Sequence, residues 1–132
     1  MTIKLFATMP LIAGALIVSA CSDPSTAKTP KMPRFDDPEL AAGRSTWMGT
    51  CRNCHLVGVA GAPAVTNQAA WQPRIDKGLP ALISSAMNGI NDPETGKPRM
   101  PPRGGNDRLG DDQVRQAVKY MVASVEHLAK QK

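Results

Sequence analysis

Toward the C-terminal end of the chain, apolar side chains recur at three- and four-residue steps: Val114, Ala117, Val118, Met121, Val122 and Val125. That period makes one apolar stripe on a helix, and the polar residues between these positions leave the other face for water. Gly110 is a tolerable cap, Asp111 and Asp112 place negative charge where the helix dipole favours it, and Leu109 can staple against Val114. A second helix is predicted over residues 38 to about 50, entered through Asp37, Pro38 and Glu39: a capping side chain, a first-position proline and a first-turn acid. On it Gly43 and Trp47 lie four apart on one face beside Leu40, so a close approach at the glycine is filled above by the indole. Residues 69–77 and 79–88 read as shorter helices, the second closed by Gly89. No stretch sustains a two-residue alternation, so the pattern is all-α.

The stretch between Gly89 and Gly110, "INDPETGKPRMPPRGGNDRL", is too rich in proline and glycine for a helix and lacks a strand pattern. A long ordered loop in a small domain is usually functional. Met100 stands at its centre with no apolar stripe to join.

Residues 1–20 have the layout of an export signal: Lys4, an apolar run over 11–18 too short to span a bilayer comfortably, then Ser19 and Ala20. Residues 18–21, "VSAC", resemble the lipobox at which bacterial lipoproteins are cleaved and lipidated, which makes Cys21 the mature N-terminus and a lipid carrier. The alternative is ordinary cleavage near Ala20 with a free thiol left over. Lipid on Cys21 accounts for an odd count of three cysteines. Residues 21–36 hold prolines, small polar residues and charges and read as a flexible tether. The folded domain is expected over 37–132. A core of that size is marginal without a staple, and from residue 37 on its aromatics are Trp47, Trp71 and Tyr120. A large planar apolar group bound in the middle would supply the missing mass.

The chain's 16 basic and 11 acidic residues leave +5, and removing Lys4 with the signal leaves 15 minus 11, or +4. This is a mild excess without the dense basic patch and interleaved aromatics of a nucleic-acid binder.

Residues 49–58, "GTCRNCHLVG", put Cys51, Cys54 and His55 within five positions. Structural zinc needs four ligands, and after Cys54 there is no further cysteine and only His127 as a second histidine. A thioredoxin-like dithiol is expected after a strand, whereas this pair follows a helix. C-x-x-C-H is also the attachment pattern of c-type haem, with two thioethers to the vinyl groups and the adjacent imidazole on the iron. Together with the export signal, the thin core and the Met-centred loop, haem is the reading adopted. Candidates for the second axial position are Met48, Met87, Met100, Met121 and His127, with Met32 in the tether. Met87 and Met121 have apolar helical neighbours and suit core filling. Met48 adjoins the attachment helix and His127 a fraying end, which leaves Met100.

The segments "CRNCH", "GAP", "W-x-P-R", "GL-x-x-L-x-x-x-x-x-NGI", "MPPRGG" and "AVKYM" resemble, in order and spacing, the class I c-type cytochromes and most of all the cytochrome c5 group, over residues 38–123. The resemblance implies a small all-α fold of about four to five helices wrapped round one covalently bound haem c, with N- and C-terminal helices crossing closely at Gly43, Trp47 and Tyr120. It makes Cys51 and Cys54 the thioether carriers, His55 the proximal ligand and Met100 the distal one. Pro63 matches a proline whose carbonyl orients the proximal ring, and Trp71 and Arg74 match positions near the propionates. Many c5 cytochromes carry an extra cysteine pair near the loop after the axial methionine, and residues 105–112 have none.

With both axial positions filled by protein, one-electron transfer is the expected task. The expectation is a monohaem electron carrier that is not an enzyme: periplasmic, held to a membrane through Cys21 with Ser22 leaning toward the outer membrane, monomeric, and serving redox proteins. Two other roles are an electron-accepting subunit of a larger periplasmic oxidoreductase and a gas or redox sensor. Lys97, Arg99, Arg103 and Arg108 around Met100, with Arg52, suggest a basic face that steers an acidic partner.

Overall fold

A computed structural model describes residues 29–131; the expected signal, Cys21 and most of the expected tether lie outside the described residues. Five α-helices occur among them: α1 Pro38–Gly49, α2 Arg52–His55, α3 Gln68–Ile75, α4 Leu79–Asn88 and α5 Asp111–Ala129. Short 3-10 turns at Val59–Gly61 and Pro102–Gly105 complete the helical part.

α1 starts where its capping residues place it. Asp37 accepts from the Leu40 N–H at 2.8 Å, and Pro38 occupies the first turn. Its partner is α5. A side-chain carbon on Gly43 would lie 2.1 Å from the Gln116 carbonyl oxygen, so the glycine lets α1 rest on the backbone of α5. Above that contact Trp47 and Tyr120 are fully buried with ring centroids 5.8 Å apart. At the rim, Lys119 bridges to Glu39 at 2.7 Å. Of the expected stripe on α5, Val114, Ala117, Val118, Met121 and Val125 are buried and Val122 is half-buried, with Tyr120 and Ser124 added to the buried face.

Two findings differ from the sequence pattern. First, the chain joins the core ahead of residue 37, inside the expected tether. Met32 is 8% exposed within the main cluster, the Tyr120 hydroxyl donates to the Pro33 carbonyl at 2.8 Å, and Phe35 lies edge-on to Tyr120 and His127. Isolated apolar residues among prolines have no period to betray them. Burial against the side of a formed helix pair is what orders them. Second, the loop after α4 contains a short antiparallel pair, β1 Ile90–Asn91 and β2 Pro98–Met100, with Ile90 opposite Met100 and Asn91 opposite Pro98 across a bulge. Asp92 closes the turn between them, accepting from the N–H groups of Glu94 and Thr95 and from the Thr95 hydroxyl at 2.9–3.1 Å. A ladder this short is made by backbone groups and turn geometry, so no alternation of side chains announces it.

The buried apolar residues form two clusters. The larger joins Met32, Trp47, Val65, Trp71, Ala117, Tyr120, Met121 and Val125, with Cys51 and Met48 half-buried against it. The smaller has Ala86, Val114 and Val118 at its centre, and Met87, Met100 and Leu109 are among the half-buried residues around it. Among the described residues, no helix is long and apolar enough to cross a membrane.

Candidate functional site

A single helical turn carries the chemistry. α2 spans Arg52–His55 with Cys51 as its N-cap, so Cys51, Cys54 and His55 stand at positions i, i+3 and i+4 and share one face. Both cysteines are free thiols, Cys51 half-buried and Cys54 exposed. Burial pushes the Cys51 thiol up to about 11, which is opposite to the depressed value that a dithiol redox centre requires. Among the described residues no group of three or more His, Cys, Asp or Glu side chains is placed to hold a metal ion, so the zinc reading finds no ligand set.

His55 is buried, and its Nδ1 lies 3.1 Å from the Pro63 carbonyl oxygen. A carbonyl only accepts, so Nδ1 carries the proton and Nε2 keeps a bare lone pair. Burial, with Arg74 as a lesser cause, lowers the pKa of the ring and favours the neutral form a metal needs. The returning chain is pinned behind the ring: Val65 N–H donates to the His55 carbonyl at 2.7 Å, and the Trp71 indole N–H donates to the Ala64 carbonyl at 2.9 Å. The Trp71 ring stands 5.7 Å from the imidazole, centroid to centroid. Trp71 therefore spends its one donor inside the chain, as a brace for the Pro63–Val65 segment, and the exposed Arg74 guanidinium donates to the Ala70 carbonyl of its own helix.

Met100 joins the smaller cluster, together with Met87, rather than standing alone. Gly89 holds it there. This residue caps α4 at φ +79°, and a side-chain carbon on it would lie 2.7 Å from the Met100 carbonyl and 2.9 Å from Pro102. The loop beyond is tied in two places. Arg103 donates to the Leu109 carbonyl at 2.7 Å and pairs with Asp111 at 2.7 Å, and the Asn106 amide donates to the Thr50 hydroxyl at 3.3 Å, next to Cys51. None of these ties was visible in the sequence pattern, although "PRGGND" announces a turn-rich stretch. They also revise the expected basic face: Arg103 is an internal brace and Arg99 lies 3.5 Å from Asp92. Of the other axial candidates, Met121, Met48 and Met32 lie with the larger cluster. His127 is exposed, 5.7 Å from Phe35.

This donor set fits a covalently held haem. Two thiols and a neutral imidazole with a free Nε2 share one helical turn, Cys51 sits against one apolar cluster and Met100 against the other. Fold and site together define a small class I c-type cytochrome. Comparison with known proteins agrees. Residues 38–121 match the family model described as cytochrome C oxidase, cbb3-type, subunit III, and the chain belongs to that family of cytochrome c domains.

Similar proteins include cytochrome c-555 of Chlorobaculum tepidum, 44% identical over 64% of this chain and 75% of that one. Cytochrome c5 of Ectopseudomonas mendocina is 38% identical over 54% of this chain and 76% of its own length. A solved structure, a crystal structure of an electron transfer complex of nitrite reductase with cytochrome c, aligns with a TM-score of 0.56 at 34% identity, covering 67% of this chain and 96% of that one. The cofactor is haem c, and the work of the family is electron transfer.

Proposed function

We propose that this chain is a periplasmic monohaem electron carrier, tethered to a membrane through Cys21 and passing single electrons between redox proteins. The observation that supports it most is the α2 turn, with Cys51, Cys54 and His55 on one face and the His55 ring fixed by the Pro63 carbonyl. Haem iron supplies one-electron chemistry when bound. When haem is bound, Cys51 and Cys54 would hold it through thioether bonds and His55 Nε2 would be a ligand of its iron. Met100 would be the second protein ligand, while Pro63 and Trp71 orient the imidazole. Arg74, exposed on α3, would be a cation near the propionates. The apolar residues around Met100 keep water away, and a thioether ligand favours the reduced metal.

The relative solved with nitrite reductase supports a second reading in which this chain, as a monomer, delivers electrons to or receives them from a larger oxidoreductase. Co-purification of a stoichiometric catalytic partner would favour that reading.

Spectroscopy and mass together test the main proposal. Haem should stay on the chain after acid-acetone extraction, and the oxidised protein should show the weak far-red sulfur-to-iron band. Met100→Ala should abolish that band while Met87→Leu and Met121→Leu retain it. An intact band in Met100→Ala removes the ligand assignment. A mature mass equal to chain plus haem, without a lipid moiety, removes the anchor.

A further inference from the structure

The face from which the chain leads back toward Cys21 carries a cavity of about 180 Å³ bounded by the first described residues, α1 and α2. Four cations line it, Lys31, Arg34, Arg44 and Arg52, and no acidic residue does. Among the described residues none of the four is in an ion pair. The Arg44 Nε is buried without a hydrogen-bond partner. That atom is closed off from water and is not itself open to a ligand, but arginine's planar fork matches the oxygens of a phosphate. Met32 and Met48 line the same cavity, so charge and apolar surface meet there as they do where a lipid head group joins its glycerol and acyl chains.

We propose that this cavity binds the phosphate of an anionic phospholipid head group and seats the domain on the membrane. The inference rests on the anchored reading above. The cavity begins at Thr29, eight residues after Cys21, and a chain of that length reaches at most about 28 Å. A lipid-bearing Cys21 thus keeps the cavity within that distance of head groups, where each basic residue adds to surface attraction. Arg52 lies within the α2 turn, so seating the cavity holds the Cys51 side of the molecule close to the membrane.

The test uses the full haem-loaded chain exported as Cys21→Ser, so that no lipid anchors it. Binding is measured on vesicles of phosphatidylcholine alone and of phosphatidylcholine with phosphatidylglycerol. The wild-type cavity should bind only the anionic vesicles. Lys31→Gln and Arg34→Gln should each weaken binding about five-fold, and Arg44→Gln and Arg44→Lys more, since lysine keeps the charge and loses the fork. Lys77→Gln, outside the cavity, should change it less than two-fold. Each variant's visible spectrum reports whether it folded, and the exposed Lys31 and Arg34 carry the test if Arg44 variants do not.

Arg44→Lys binding as well as wild type, or Lys77→Gln losing as much as Arg44→Gln, would overturn the site in favour of unlocalised charge. Inorganic phosphate is the remaining arm. If millimolar phosphate raises the melting temperature of the wild type but not of Arg44→Gln, and displaces the protein from vesicles, a free phosphate is the ligand and the lipid assignment falls. The anchor itself is read from the mass of the mature protein, so either conclusion can fail without the other.

Discussion

The histidine side and the methionine side of this domain are held by different means. His55 belongs to a region whose side chains are closed off from water: Trp47, Tyr120 and Val65 are fully buried, and the imidazole is fixed by the Pro63 carbonyl, in a segment that Trp71 braces through the neighbouring Ala64 carbonyl. Met100 belongs to a region with three buried apolar residues and a rim of half-buried ones. Backbone proximity positions it instead, through the pairing with Ile90, the close pass of Gly89 and the ties of Arg103 and Asn106. A side chain built into a core is held by packing density, which resists movement. A side chain on a loop is held by turn chemistry and hydrogen bonds, which open at lower cost.

The largest expected effect breaks the first side. Gly43→Ala should gain about 1 kcal/mol in helix propensity. The added carbon meets the Gln116 backbone at 2.1 Å, where no flexible side chain can yield. Overpacking wins, with a net loss of about 3 kcal/mol and a melting temperature lower by on the order of 15 °C. Thermal unfolding followed by far-ultraviolet circular dichroism checks it; an unchanged midpoint would mean that α1 does not rest on α5 in this way.

Gly89→Ala strikes the second side. A positive φ and a 2.7 Å approach to the Met100 carbonyl should together cost about 2 kcal/mol. The far-red sulfur band should weaken well before the fold melts, whereas in Gly43→Ala band and fold should fail together. The order of the two losses on heating is the measurement.

Trp71→Phe sharpens the contrast with less energy. It keeps the ring near His55 and leaves the Ala64 carbonyl without its donor, at about 1 kcal/mol. The imidazole signals in the paramagnetic NMR spectrum should shift, and the Met100 methyl signal should not. Equal shifts in both would show that the two sides are coupled rather than separately held.

The smallest effect is on pH. Asp92 accepts chiefly from Thr95, and its carboxyl is held below the ordinary carboxylate range. A folded value depressed below the unfolded one means the contribution is complete above the unfolded value of about 3.9 and disappears as pH falls through the folded value. The hairpin turn should therefore loosen only below about pH 4, seen as movement of the Glu94 and Thr95 amide resonances, while α1 and α5 stay unchanged. Asp92→Asn should remove that transition.

The helices were legible because each writes its period and punctuation into neighbouring residues. Asp37 and Pro38 start α1, Gly89 ends α4, and the apolar steps of α5 select the face that is buried. The attachment turn was legible for the same reason, since Cys51, Cys54 and His55 need nothing beyond one helical turn to share a face. What escaped notice joins residues far apart or rests on backbone groups. Met32 and Phe35 look like tether until Tyr120 is beside them. Gly89 reads as a cap, and its second task toward Met100 exists only once α4 and β2 meet. Arg103 reads as part of a basic docking face, and becomes a brace because the loop folds back on the start of α5.

By itself the sequence determined the longer helices, most of the face that α5 buries and the C-x-x-C-H motif that goes with haem c, because periodicity, capping and motif spacing act over a few residues. Only the tertiary structure decided that Trp71 braces the histidine loop, that Met100 rests on a second cluster and that four cations converge on one cavity beside α1. Those outcomes depend on which surfaces meet after the helices have formed, and the free energy of such meetings belongs to pairs of distant residues that no local pattern records.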